Sequence, residues 1–174
     1  MAQNKILLHA CCGICSGYPI LKLKEMGYLP VVYFYNPNLD SKEEFDKRLE
    51  AQKKVCDYFK VDLIIEPYNN DEFLNYILGL ENEPEKGKRC DKCIELRLKK
   101  TYDKMFELNI PNFTTSLVIS PHKNFEKISM LGEGISKRYL SINFRKQDGF
   151  LKTNNISKGL NLYRQQYCGF KFSK

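Results

Sequence analysis

Six of the seven cysteines in this 174-residue sequence sit where chemistry, rather than packing, would want them. Cys11, Cys12 and Cys15 crowd the stretch HACCGIC, directly after the hydrophobic run Ile6-Leu7-Leu8. Cys12-x-x-Cys15 and Cys90-x-x-Cys93 are two C-x-x-C pairs, a spacing that lets two sulfurs grip one metal ion or two corners of one cluster. Cys168 follows in QYCG, where the chain could fold back over the others. Six thiolates exceed the four that tetrahedral zinc or a single four-cysteine cluster takes. A cluster plus a second centre would use them, as would a cluster plus a redox thiol pair. On the residues alone, iron–sulfur chemistry, structural zinc and thiol redox all stay open. Cys56 differs, because it falls on an apolar helical stripe and reads as core.

The two histidines divide in the same way. His9 either caps a strand structurally or acts in the site. His122, between Pro121 and Lys123 in a basic segment, is the stronger candidate for proton transfer or phosphate contact. Polar clusters recur along the chain: Asn36-Pro37-Asn38, then Ser120 to Asn124 (SPHKN), then Arg145-Lys146.

These clusters need elements to hold them, and the pattern supplies candidates. Residues 6–10 read as a buried strand, 30–35 (PVVYFY) as a second, and 62–66 as a third. Residues 113–119 (FTTSLVI) read as a fourth strand and 139–144 (YLSINF) as a fifth. Between them lie helical patterns over 16–26, 41–59, 71–80, 90–109 and 124–138, with a short tail helix over 157–165. Ser41 and Glu44 form a capping box, and Gly27 suits a helix C-terminus. Cys90 and Cys93 fall in the first turn of their helix, where free N–H groups favour thiolates. Strands alternating with helices predict one α/β domain over 1–174, with a mainly parallel sheet of about five strands flanked by helices. HACCGIC, NPN, SPHKN and RK all follow strands, so they converge on the carboxyl edge of that sheet, where ligands bind in open α/β folds.

Charge adds a direction. The chain carries +7, yet residues 1–113 are close to neutral. Residues 114–174 hold eleven Lys/Arg against three Asp/Glu, interleaved with Phe125, Tyr139, Phe144, Phe150, Tyr163, Tyr167 and Phe170. That composition suits phosphates and splayed bases, hence single-stranded RNA, although Phe144 and several other rings read as core. No apolar run reaches the roughly 18 residues of a membrane span, and the start of the sequence does not resemble a signal peptide. A cytoplasmic, reducing setting is the expectation, in which cysteines are not disulfide staples.

Taken together, HACCGICS, YFYNPN, the Glu44-x-x-x-Arg48 pair, EPEKGKRCDKC, FTTSLVISPHKN, FRKQDG and LNLYRQQYCG resemble the QueH family of epoxyqueuosine reductases, in order and along nearly the whole chain. The resemblance implies a Rossmann-like, adenine nucleotide alpha-hydrolase-like domain. It implies reduction of the epoxide of epoxyqueuosine at the wobble position of tRNA, giving queuosine, with a [4Fe–4S] cluster, an adjacent iron ion and no cobalamin. Cys11, Cys12, Cys90, Cys93 and Cys168 would then be metal-centre ligands. Cys15 stands where a family member can present a ligating aspartate. This chain reads CCGIC where CCAPC is common, and Tyr167-Cys168-Gly169-Phe170 where YCGC is often found.

Within that resemblance, the basic third serves tRNA, with Asn36, Asn38, Lys123, Arg145, Lys146 and Arg164 as contacts. His122, Tyr35 or Tyr163 would protonate the departing oxygen, and an unidentified donor would deliver electrons. The competing readings are a zinc-stapled tRNA-binding module, a thiol–disulfide reductase and ATP-dependent nucleotide chemistry. The last ranks lowest because the first strand runs into cysteines rather than a Ser-Gly-Gly phosphate loop.

Overall fold

The computed structural model describes residues 4–170. Its centre is strand β1 (Lys5–Ala10), whose five residues after Lys5 are all buried. A strand this uniformly buried needs cover on both faces and neighbours on both edges, which is the setting of a parallel α/β sheet. β2 (Leu29–Phe34) and β4 (Asn112–Thr115) flank β1, and β3 (Leu63–Ile65) lies outside β2, giving the order β3-β2-β1-β4 with every pairing parallel. Helix α1 (Gly13–Glu25) packs against both α2 (Lys42–Phe59) and α6 (Gly149–Gly159). Helices α3 (Asn70–Tyr76), α4 (Lys88–Glu107) and α5 (Phe125–Ile135) form a second group, and β1 touches both α1 and α4. The sheet is thus sandwiched between two helical layers. None of the described helices is long and apolar enough to cross a membrane.

The sheet has four strands, not the five that the pattern suggests. Residues 139–144 approach β4 but pair through a single bridge, Phe113 with Tyr139. Leu140 donates to the Phe113 carbonyl at 2.9 Å, and then the Thr114 hydroxyl takes the Leu140 carbonyl at 2.7 Å. That side-chain bond replaces the next rung, and a turn begins at Asn143, whose carbonyl accepts from Lys146. β4 itself stops early for a related reason. The Thr115 hydroxyl accepts from the Leu117 amide, and residues Ser116–Ile119 close into a 3-10 turn. The tail helix also moves: α6 occupies Gly149–Gly159, and residues 160–170 follow as a strap with neither helix nor strand. α6 is held there by Thr153, whose hydroxyl donates to the Ile14 carbonyl of α1.

The order of strands reverses between β1 and β4. In a doubly wound sheet such a reversal opens a crevice beyond the strand ends. Here HACCGIC leaves β1 and the segment to Lys123 leaves β4, so both open onto that crevice.

Gly13, in the thiol turn, sets how closely α1 meets α2. A Cβ there would lie 2.7 Å from the carbonyl carbon and oxygen of Ala51. Gly13→Ala is therefore expected to force the helices apart at a cost of about 1–3 kcal/mol. Thermal unfolding of the metal-free protein should show a midpoint several degrees lower.

Candidate metal centre and substrate cavity

The Sγ atoms of Cys11, Cys12 and Cys15 lie within 4.8 Å of one another at the start of α1. Extended backbone at Cys12 turns the chain from β1 into the helix and aims all three thiols together. Cys11 and Cys12 sulfurs are 3.6 Å apart. Hydrogen bonds from Cys12 and Cys15 hold the Cys11 thiol well below the usual range, with Arg97 adding to the effect. Cys12 is pushed up to about 12, chiefly because it keeps its proton to give to Cys11. Cys15 shifts upward for the same reason. The nest therefore stabilises one thiolate in the absence of metal.

Three further cysteines, Cys90, Cys93 and Cys168, come from other elements. Cys90 and Cys93 sit near the N-terminus of α4, as the helix-start reading expects, and Cys90 Sγ accepts from the Lys86 amide at 3.2 Å. A cavity of about 560 Å³ is lined by Cys11, Cys15 and Cys168, together with Arg97, His122 and Lys123. A small adjoining void of about 20 Å³ joins Cys168 to Cys90, Cys93, Asn38 and Arg97. Cys168 is thus common to both groups. Cys56 is buried in the core, hydrogen-bonded to Gln52, and plays no part here.

Arg97 was not among the residues expected at the site, and its position explains much of the electrostatics. It is only 4% exposed, and its guanidinium donates to Cys93 Sγ at 3.3 Å and to the Cys93 carbonyl at 3.4 Å. No carboxylate pairs with it among the described residues. Burial alone would depress its pKa, but Cys93, Cys11 and Cys168 raise it. A buried cation whose charge is met by sulfur rather than by a carboxylate among the described residues suits an anionic, sulfur-bound centre. Gln165 adds a polar wall: its Nε2 donates to Cys12 Sγ at 2.9 Å, while its Oε1 is buried without a partner among the described residues. The soft donor set of Cys11, Cys12 and Cys15, the buried cation beside it and the polar amide would fit an iron–sulfur group. A signal for Arg97 exists in the sequence: it stands four residues after Cys93, between Ile94 and Leu98 on the apolar stripe.

Other expected residues spread around this cavity. His122 is exposed and lines it with Lys123, and Arg164 reaches it while donating to Asn154. Arg145 lines a neighbouring groove that shares His122 and Lys123. Lys146 is exposed and lines neither. Asn36 and Asn38 are buried, and their amides donate to the carbonyls of Ala10 and Cys168. The Tyr35 hydroxyl donates to Glu72 and the Tyr163 hydroxyl to Glu44, so both rings point their polar atoms away from the thiols toward carboxylates. His9 takes a structural part. It is fully buried, its Nε2 donating to the Tyr35 carbonyl and its Nδ1 accepting from Thr115. Burial, helped by the Arg97 charge, lowers its pKa to about 4 and keeps it neutral. Of the aromatics in the basic third, Tyr139, Phe144 and Phe170 are core, whereas Phe150 is exposed at the cavity rim.

A family model described as epoxyqueuosine reductase QueH matches residues 6–174. The chain belongs to the QueH family of epoxyqueuosine reductases. Epoxyqueuosine reductase QueH of Streptococcus pyogenes serotype M1 is 34% identical over 96% of this chain and 69% of its own length. That of Acinetobacter baylyi is 34% identical over 98% of this chain and 80% of its own. Among solved structures, the U34-tRNA thiolase NcsA of Methanococcus maripaludis with its [4Fe–4S] cluster aligns at TM-score 0.45. Its 12% identity, over 91% of this chain and 67% of that one, is too distant to bear on the site. Membership in the QueH family sets aside the zinc-stapled module and the thiol–disulfide reductase as leading readings.

Proposed function

We propose that this QueH chain reduces the epoxide of epoxyqueuosine at the wobble position of tRNA to the alkene of queuosine. The observation that carries the proposal is the meeting of the Cys11–Cys12–Cys15 nest, Cys168 and buried Arg97 in one cavity under a basic rim. The reaction consumes two electrons and two protons: both C–O bonds of the epoxide break, a C=C bond forms and the oxygen leaves as water. When bound, a [4Fe–4S] cluster supplies electrons singly, and an adjacent iron supplies Lewis acidity.

The chain's own residues provide the rest. Six thiolates would hold the metal, and Arg97 offsets their charge. A cavity of about 560 Å³ has room for an unstacked nucleoside. Phe150 offers a ring on which a base can stack. Lys123, Arg145 and Arg164 lie where anticodon-loop phosphates would pass, with Lys146 further out. We assign protonation of the departing oxygen to His122, the one of the three candidates whose side chain borders the cavity. Electrons enter from an external one-electron donor.

Anaerobic reconstitution with iron and sulfide, followed by dithionite-driven turnover of epoxyqueuosine-containing tRNA, tests the reading. A visible charge-transfer band and formation of queuosine are expected; absence of both after metal loading would sink it. The rim makes a separate prediction. Lys123→Ala and Arg164→Ala should each weaken tRNA binding and flatten the log Kd against log salt slope by roughly 0.7–0.9. Fluorescence anisotropy over a salt series measures this, and unchanged slopes would remove those residues from the phosphate contacts.

A further inference from the structure

Cys168 reaches the cavity on the strap 160–170, which has no ladder of its own to hold it in place. Its position must come from what it leans on. The Cys168 carbonyl accepts from Asn38 Nδ2 at 2.9 Å and from Arg48 Nη1 at 3.2 Å. Arg48 Nη2 takes the preceding carbonyl, that of Tyr167, at 2.7 Å. The third nitrogen of the same guanidinium, Nε, donates to Glu44 at 2.8 Å. Glu44 in turn accepts from the Tyr163 hydroxyl at 2.8 Å, so one ion pair grips the strap at both ends. The Asp40 amide completes the grip on the Gly169 carbonyl at 2.7 Å.

The pair is deeply placed, with side chains 3% and 8% exposed. Buried ion pairs are poor stabilisers, because desolvation offsets most of their attraction. Fold stability is therefore a weak reason for this one. Its geometry suggests another: three donors of a rigid planar fork meet a carboxylate and two consecutive carbonyls, a match that an ammonium cannot make. Both residues lie on α2, whose N-terminus is fixed by the Ser41 cap. The fork thus ties the strap to a rigid helix.

We propose that Glu44 and Arg48 are positioning residues that seat Cys168 against the metal centre. The inference rests on the proposed function only in taking Cys168 as a metal ligand.

The test begins with reduced, metal-free protein labelled by N-ethylmaleimide and read peptide by peptide by mass spectrometry. Arg48→Lys keeps Glu44 charge-paired but loses at least one carbonyl contact, and it should raise Cys168 labelling about tenfold. Core Cys56 should stay protected, as in the unsubstituted protein. Asn38→Ala, which leaves the ion pair intact, should raise Cys168 labelling as well. After reconstitution, both variants should bind less iron per chain. Cys168 labelling at the original rate would overturn the seat. A rise that only keeps pace with Cys56 in both variants would also overturn it, because the pair would then be propping the whole fold. Cys168→Ser separates this from the parent reading. Full iron content in that variant would strike Cys168 from the ligands, whereas selective unmasking of Cys168 in Arg48→Lys would still support the seat.

Discussion

Cys12→Ser is expected to abolish iron retention and turnover together, with iron per chain falling at least about a hundredfold in apparent affinity. Cys12 is 1% exposed and lies at the centre of the nest, bonded to Cys11 on one side and to Gln165 on the other. Serine nearly matches its volume and keeps a donor, so the fold should survive. What is lost is the soft sulfur, and a hard hydroxyl does not replace it for iron in a thiolate setting. Iron and sulfide analysis with a turnover assay measures the effect. Cys56→Ala supplies the contrast: it should lower thermal stability by about 1–2 kcal/mol through a small core cavity and leave iron content unchanged. A Cys12→Ser protein with full iron would remove Cys12 from the metal's ligands.

Arg97→Met is expected to produce the second large effect, and one with opposite signs in the two forms of the protein. In the loaded enzyme, removing the buried cation leaves an anionic centre uncompensated. Adding an electron then becomes harder, so the reduction potential should move to more negative values and turnover should fall about 10–100-fold. In the metal-free protein the guanidinium is a desolvated charge without a carboxylate partner among the described residues, and an apolar chain of similar length should leave stability equal or higher. Potentiometric titration followed by electron paramagnetic resonance gives the first sign, and thermal unfolding of the metal-free form gives the second. A merely structural arginine would show the reverse: an unchanged potential and a less stable metal-free fold.

Much of the site was legible from sequence because cysteines are rare and reactive, and their spacing survives folding. The two C-x-x-C pairs and the placement of polar clusters after strands needed only local rules, and the switch point between β1 and β4 explains why those clusters meet. Arg97 escaped notice because a charge within an amphipathic helix reads as solvated until its face is known, although its place four residues after Cys93 marks the face. The fifth strand failed because β propensity at 139–144 cannot foresee that Thr114 will take the Leu140 carbonyl. The tail helix was misplaced for a similar reason, since its docking on α1 through Thr153 is a long-range bond. Glu44 and Arg48 stood out as a motif, but their two carbonyl partners lie on the strap, well over a hundred residues away.

The walls of the cavity come from opposite regions of the chain: Cys11 and Cys15 enter it directly after β1, and Cys168 enters from the strap. During synthesis the first three thiols are therefore made long before their cover. A ribosome-bound chain short of the strap would present a bare thiol nest to the surrounding medium. Oxidation or capture of a stray metal is the hazard of that interval. Loading of the intended centre is then best timed after the strap has been made, when the last wall has closed.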